Sequence, residues 1–189
     1  MSDTVEEDDV CVHDCKRCPK LVESRSQIVN GVGPTDAELI LVGEAPGENE
    51  DKDGEPFVGR SGDVLNETLH DNGVNREDIR ITNSVRCRPP ENRDPTSEER
   101  DNCFSYLERE IAMIEPEAVL TLGKVPTQTL LDDNVSVTKV SGDVSTRLLN
   151  GKPVKVVAGM HPAATLYDPS YRDLFEEAVE KAVDISMRQ

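Results

Sequence analysis

Cys15 and Cys18 form a Cys-x2-Cys pair, and Cys87 and Cys103 supply two further thiols. Four cysteines gathered by a fold suit tetrahedral zinc or an iron–sulfur cluster, and Cys87 stands in an arginine-rich loop where a merely buried thiol is unexpected. A second concentration of chemistry is Gly43-Glu44-Ala45-Pro46-Gly47-Glu48-Asn49-Glu50-Asp51, which leads on to Pro56-Phe57-Val58-Gly59. Its glycines would suit a phosphate cradle, but neither GxxxxGK[ST] nor GxGxxG is present. Five acids between Glu44 and Asp53, with a sixth at Glu55, also repel nucleotide phosphates, so a nucleotide site is disfavoured.

Asn83 closes the stretch Ile81-Thr82-Asn83, and its amide offers a donor and an acceptor. That is enough to pair with the edge of a base, or to cap the following turn. His161 is followed by Pro162, which fixes a turn and presents the imidazole, whereas His13 lies in the cysteine segment and His70 at a helix end. Arg80, Arg86, Arg88 and Arg93 fall within fourteen residues that hold one acid, Glu91. This local charge of +3 suits a phosphate backbone or acidic neighbours within the fold.

The elements that must position these groups alternate along the chain. Apolar runs at 37–43, 78–83, 118–122 and 154–158 read as buried strands, with helices at 19–28, 62–70, 97–114, 125–131 and 169–187. Thr96 ahead of Glu98 and Glu99 marks a helix start, and 137–150 reads as an irregular or hairpin excursion. The pattern predicts a three-layer α/β/α sandwich around a central four-stranded parallel sheet. Ligands of such sheets sit beyond the carboxyl ends of the strands, which is where Glu44, Asn83 and His161 fall.

Composition narrows the function classes. The 189 residues carry 21 Lys+Arg against 38 Asp+Glu, a net charge of −17, with 35% hydrophobic residues, 3% aromatics and no Trp. An aromatic platform for stacking many bases is excluded, and the core must be built from Val, Leu, Ile and Ala. Residues 1–10 read as an acidic flexible leader and 11–189 as one domain. With no apolar run long enough to cross a membrane and no basic-then-apolar leader, the sequence predicts a soluble, cytoplasmic protein without membrane partners. A charge of −17 opposes a polyanionic partner except in molar salt, where the Debye length is about 3 Å and local basic patches act alone. Abundant acids with few Lys resemble proteins of salt-loving cells; the plainer reading is an acidic, soluble enzyme.

Two readings of the cysteines compete outside that frame. Cys11-x3-Cys15-x2-Cys18 matches the spacing of radical S-adenosylmethionine enzymes, although Arg17 stands where they usually carry an aromatic residue. A four-cysteine zinc or nucleic-acid module without catalysis is the other.

Taken together, Cys15-x2-Cys18, GEAPGENEDKDGEPFVGRSG, ITNSVRCRPPENRDP, Cys103 and GMHPAA, in that order, resemble the family-four uracil-DNA glycosylases that carry a 4Fe-4S cluster. The resemblance implies a uracil-DNA glycosylase-like fold and hydrolysis of the bond between uracil and deoxyribose in DNA. It makes Cys15, Cys18, Cys87 and Cys103 the ligands of a structural cluster and leaves Cys11 without a counterpart. No soluble cofactor is implied, and a monomer suffices. Phe57 would stack on the extruded base, Asn83 would read its N3–H and O4, and Glu44, Ala45, Pro46 and Gly47 would complete the pocket edge. His161 would hydrogen-bond O2, and Glu44, with Glu48 or Glu50, would position water. Relatives place aspartate where this chain has Ala45, and large apolar residues where it has Ala164-Thr165-Leu166-Tyr167. Leu166 or Tyr167 would therefore be the duplex wedge, Arg86, Arg88 and Arg93 would hold phosphates, and single strands or U:G mismatches would be preferred.

Overall fold

Leu39, Ile40, Leu41 and Val42 are all fully buried, which requires cover on both faces of the strand they form. Leu39 and Leu41 join one core with Leu65, Leu69, Phe175 and Val179, while Ile40 and Val42 join another with Leu107, Ile111 and Val156. Helices therefore pack on each side of the sheet. The computed structural model describes residues 10–131 and 134–187. In chain order the elements are α1 (Pro19–Ser24), β1 (Leu39–Gly43), α2 (Glu48–Asp53), α3 (Arg60–Asp71), β2 (Arg80–Asn83), α4 (Ser97–Ile114) and β3 (Ala118–Leu122). They continue with α5 (Lys124–Leu130), α6 (Val137–Val140), β4 (Val144–Leu149), β5 (Lys152–Gly159), α7 (Ala164–Tyr167) and α8 (Arg172–Met187).

The sheet has five strands in the order β2-β1-β3-β5-β4. β1, β2, β3 and β5 are parallel, as the apolar runs predict, and β4 is the addition. It lies antiparallel to β5, joined through a turn at Asn150 and Gly151, so the excursion at 137–150 resolves as half of a hairpin. As an edge strand, with Val144 and Leu148 exposed, it lacks the two-sided burial that marks the others. The opposite edge is covered where Val32 exchanges 2.9 Å backbone hydrogen bonds with Ile81.

Neighbours β2 and β3 lie on opposite sides of β1, which creates a crevice at its carboxyl end. α4 begins with the Thr96 hydroxyl accepting from the Glu99 N–H at 3.2 Å while Glu99 accepts from the Thr96 N–H at 2.8 Å. α8 closes one face with Phe175, Ala178, Val179, Ala182 and Val183 buried. α1 stops at Ser24, short of the predicted residue 28, because Arg25 turns extended. Of the predicted leader, residues 1–9 lie outside the described residues; Val10 is buried, and its carbonyl accepts from Arg86 at 3.0 Å. No helix among the described residues is long and apolar enough to cross a membrane.

Candidate active site

β1 ends in Gly43 and runs into Glu44, β2 ends in Asn83, β5 leads to His161, and Phe57 comes from the turn between α2 and α3. The side chains of Glu44, Phe57, Asn83 and His161, with Ala45, Gly47, Glu50 and Ser61, line a cavity of about 190 Å³. Clefts for drug-sized ligands start at roughly 300 Å³, so this one suits a single small ring. A larger cavity of about 430 Å³ lies at the amino ends of β3 and β5, between Ile111, Pro116 and Val154, and gathers none of the predicted site residues.

Phe57 forms one wall. Its backbone is left-handed, with φ 53°, a conformation that costs a non-glycine residue about 1 kcal/mol and needs external support. Arg76 provides it by donating to the carbonyls of Phe57, at 3.3 Å, and Pro56. A Cβ on Gly62 would stand 1.9 Å from that Phe57 carbonyl oxygen. Gly43 does the same for the side chains, since a Cβ there would lie 2.3 Å from Asn83 Oδ1 and 2.6 Å from the Phe57 ring. The Phe57 and His161 rings lie 5.7 Å apart and 29° from parallel.

The His161 Nδ1 accepts the Ala163 backbone N–H at 3.1 Å. An imidazole that accepts at Nδ1 while neutral carries its proton on Nε2. Burial pushes its pKa down to about 4, so the ring is neutral at physiological pH. The Glu44 carboxyl moves the other way: burial, then the Asp94 carboxyl in hydrogen-bond contact with it, push it up to about 7, against the pull of Lys124. Glu44 is anchored by its own carbonyl, which accepts from the Val85 N–H at 3.0 Å.

Other predicted residues sit less simply. Pro46 is buried beneath the turn and does not line the cavity. Glu50 lines it but also accepts from the Gly47 N–H at 3.1 Å, bracing the turn at the start of α2. Glu48 is exposed and paired with Lys52 at 2.6 Å, with Arg88 at 3.7 Å. Leu166 and Tyr167 are 40% and 88% exposed on α7, beyond His161. Arg93 is held by both oxygens of Glu99, at 2.7 and 2.8 Å.

Arg86 overturns its expectation as a phosphate contact. It is 1% exposed and donates to Glu110 at 2.6 Å, Asn30 at 2.8 Å and the Val10 carbonyl. Arg80 is likewise buried, 2.8 Å from the same fully buried Glu110. Two interior guanidiniums require a carboxylate between them, and local charge counting cannot see one that lies 24 residues away.

Cys15, Cys18, Cys87 and Cys103 line one small cavity with Leu21, Val85 and Tyr106, and Cys11 does not join them. Arg25 donates to Cys87 Sγ at 2.9 Å and to the Cys15 carbonyl at 2.7 Å, Asn102 donates to Cys18 Sγ at 3.5 Å, and the Arg86 N–H donates to Cys103. Burial pushes the thiols of Cys18 and Cys87 up and that of Cys103 up to about 12, so a cationic centre is needed to hold them as thiolates. Among the described residues no three His, Cys, Asp or Glu side chains converge tightly enough for a single ion. Four thiols around one cavity, with N–H donors on their sulfurs, are a soft donor set that suits a thiolate-bound metal or an iron–sulfur cluster. Arg25, Asn102, Ser61, Asp94 and Glu110 carry no spacing signal that would have found them.

Residues 30–183 match the model of the Uracil DNA glycosylase superfamily. The type-4 uracil-DNA glycosylase of Archaeoglobus fulgidus is 43% identical, over 88% of this chain and 85% of the relative. The chain belongs to the type-4 uracil-DNA glycosylase family. Type-4 uracil-DNA glycosylases of Sulfurisphaera tokodaii, at 41% over 92% of this chain and 80% of the relative, and Thermotoga maritima, at 42% over 90% and 88%, agree. In this type-4 chain the radical-enzyme and zinc-module readings are not favoured.

Proposed function

We propose that this chain hydrolyses the N-glycosidic bond of uracil in DNA and leaves an abasic site. One observation carries the chemistry: the main-chain N–H of Ala163 occupies His161 Nδ1, leaving Nε2–H as a neutral donor beside Asn83 and Phe57 in one small cavity.

The base must leave the duplex first, at a cost of a few kcal/mol that is least for single strands and U:G mismatches. These are the proposed substrates, with Leu166 or Tyr167, exposed beyond His161, filling the gap. The uracil ring stacks on Phe57. Asn83 accepts from N3–H and donates to O4, a pattern cytosine presents in reverse, so the wrong base leaves buried polar groups unpaired. As the bond breaks, negative charge grows on O2 and His161 Nε2–H donates to it; such preorganised donors are worth about 2.7–4 kcal/mol. Glu44, in its ionised form, orients the water that attacks C1′ and stabilises the cationic sugar. Glu50, braced on Gly47, walls the cavity and excludes a methyl group at C5. Arg88 and Arg93 remain the proposed phosphate contacts.

Cys15, Cys18, Cys87 and Cys103 are proposed to hold the structural 4Fe-4S cluster that the family resemblance implies, supported by their shared cavity and its N–H donors. When bound, it would supply the positive charge that keeps buried thiols ionised and would tie three chain segments together; no reaction step passes through it. The charge of −17 supports activity in molar salt; the proposed enzyme is cytoplasmic, and a monomer suffices for this chemistry.

The test is incubation with a uracil-containing single-stranded oligonucleotide at low and molar salt, followed by alkali. Cleavage only at uracil is expected, with the molar-salt reaction at least equal to the low-salt one. Absence of cleavage in both, by protein with full iron and sulfide content, would sink the reading. Cys87→Ser is expected to lose iron and Cys11→Ser to keep it.

A further inference from the structure

α2 supplies part of the wall of the cavity formed by Glu44, Asn83 and His161, yet it has six residues, well short of the roughly 12 that an isolated helix needs. Its place must be fixed from outside. Glu50 lines the cavity, whereas Asp51, about 100° further round the helix, is 2% exposed and does not. Both Asp51 carboxyl oxygens accept the Ser26 N–H, at 2.9 Å each. Gln27 adds a second tie, its side-chain amide donating to the carbonyls of Asp51 at 2.9 Å and Lys52 at 3.1 Å. This stretch is itself anchored: Arg25 donates to Cys87 Sγ and the Cys15 carbonyl, and the Val29 N–H donates to the Arg86 carbonyl at 2.8 Å. The proposed reaction makes no use of the buried acid.

We infer that Asp51 is a positioning residue for base selection: by tying α2 to residues 26 and 27 it holds Glu50 where the C5 edge of the base must pass. The hydrogen bond from the Gly47 N–H to Glu50, at 3.1 Å, cannot do this. Gly47 caps α2, so that bond moves with the helix. An apolar side chain at position 51 would cover the same surface but leave α2 free to slide. A carboxyl that accepts one N–H with both oxygens fixes distance and direction together, and burying it is tolerable because it is so paired. The cavity holds about 190 Å³, so a wall displaced by the width of a methyl group changes which ring fits. Asp51 thus acts on the base through Glu50, without touching it.

This inference rests on the proposed role of Glu50, and the experiment separates the two. Single-turnover base release is measured on single-stranded oligonucleotides that carry one uracil or one thymine, for the wild type, Asp51→Ala, Asp51→Asn, Gln27→Ala and Glu50→Ala. The readout is the ratio of the thymine rate to the uracil rate. Lost stability lowers both rates together and leaves the ratio in place. One methyl in a fitted pocket is worth about 10–200-fold, so Asp51→Ala is expected to raise the ratio about tenfold or more above the wild-type value or its upper bound. Asp51→Asn keeps an acceptor for the Ser26 N–H and should restore most of the wild-type ratio. Gln27 is exposed, so Gln27→Ala keeps the fold while cutting the second tie, and the ratio should rise by about threefold. Glu50→Ala should raise it at least as far as Asp51→Ala. If Asp51→Ala leaves the ratio unchanged while Glu50→Ala raises it, Asp51 only holds the fold and the inference falls. Should Asp51→Ala fail to purify, an unchanged ratio in Gln27→Ala overturns it instead. If Glu50→Ala leaves the ratio unchanged, the role of Glu50 fails, and the inference with it.

Discussion

The cavity proposed for uracil and the cysteine cavity lie a few residues apart along the chain, Asn83 to Cys87, yet they are held in different ways. The uracil cavity is shaped by the main chain: strand ends deliver Glu44, Asn83 and His161, Gly43 and Gly62 let Phe57 approach, and a backbone N–H sets the imidazole. The cysteine cavity is shaped by side chains that join distant segments. Arg86 ties the N-terminal stretch at Val10 and Asn30 to α4 through Glu110, and Arg25 ties Cys15 to Cys87. A site written into the backbone is ready before its ligand arrives. A site made of cross-links fails when one link is cut.

The largest effect expected follows from cutting the central link. Glu110→Ala strands two buried guanidiniums and should cost about 3–5 kcal/mol in urea unfolding, with iron lost from the folded fraction. If Glu110→Ala is too unstable to purify, Glu110→Gln should give a smaller loss in the same direction.

Next comes His161→Ala, which should lower single-turnover uracil release by about 10²–10³ while iron content stays whole. The same variant sharpens the contrast through pH. The folded imidazole titrates near 4 against about 6.5 when unfolded, so as pH falls the unfolded chain takes up the proton first. Its stabilising contribution is complete above pH 6.5 and is lost between 6.5 and 4; wild type should therefore lose more stability over that window than His161→Ala.

Gly43→Ala tests the backbone side of the comparison. A methyl 2.3 Å from Asn83 Oδ1 and 2.6 Å from Phe57 must displace one of them, at about 1–3 kcal/mol, and should weaken uracil binding with iron unchanged. The smallest effect is Thr96→Ala, which removes the cap of α4 and should lower stability by about 1 kcal/mol in thermal unfolding without altering the uracil cavity.

The same contrast explains what the sequence made legible. β1, β3 and the second half of β5 announce themselves because strand segments covered on both faces read as apolar runs, β2 (RITN) fits only through its place in the alternation of strands and helices, and Asn83 and His161 follow as residues at or just beyond strand ends. β4 does not, because an edge strand alternates exposed and half-covered residues and carries Ser, Thr and Arg. Arg86 misleads for a related reason: its charge is read locally, while its partner Glu110 sits on α4. Asp94, in a proline-rich loop, looks like a turn residue, and only the folded chain lets its charge bear on Glu44.

The hydrogen bond from Ala163 to His161 has a consequence for mutational drift. The proton sits on Nε2 because a main-chain donor occupies Nδ1, and every residue except proline carries that donor. Position 163 can change its side chain freely in this respect and still enforce the same tautomer. A neighbouring side chain in that role would have exposed the setting to many single-base changes. Here it is shielded from all replacements but one, so the most delicate electronic feature of the pocket is also among its hardest to lose.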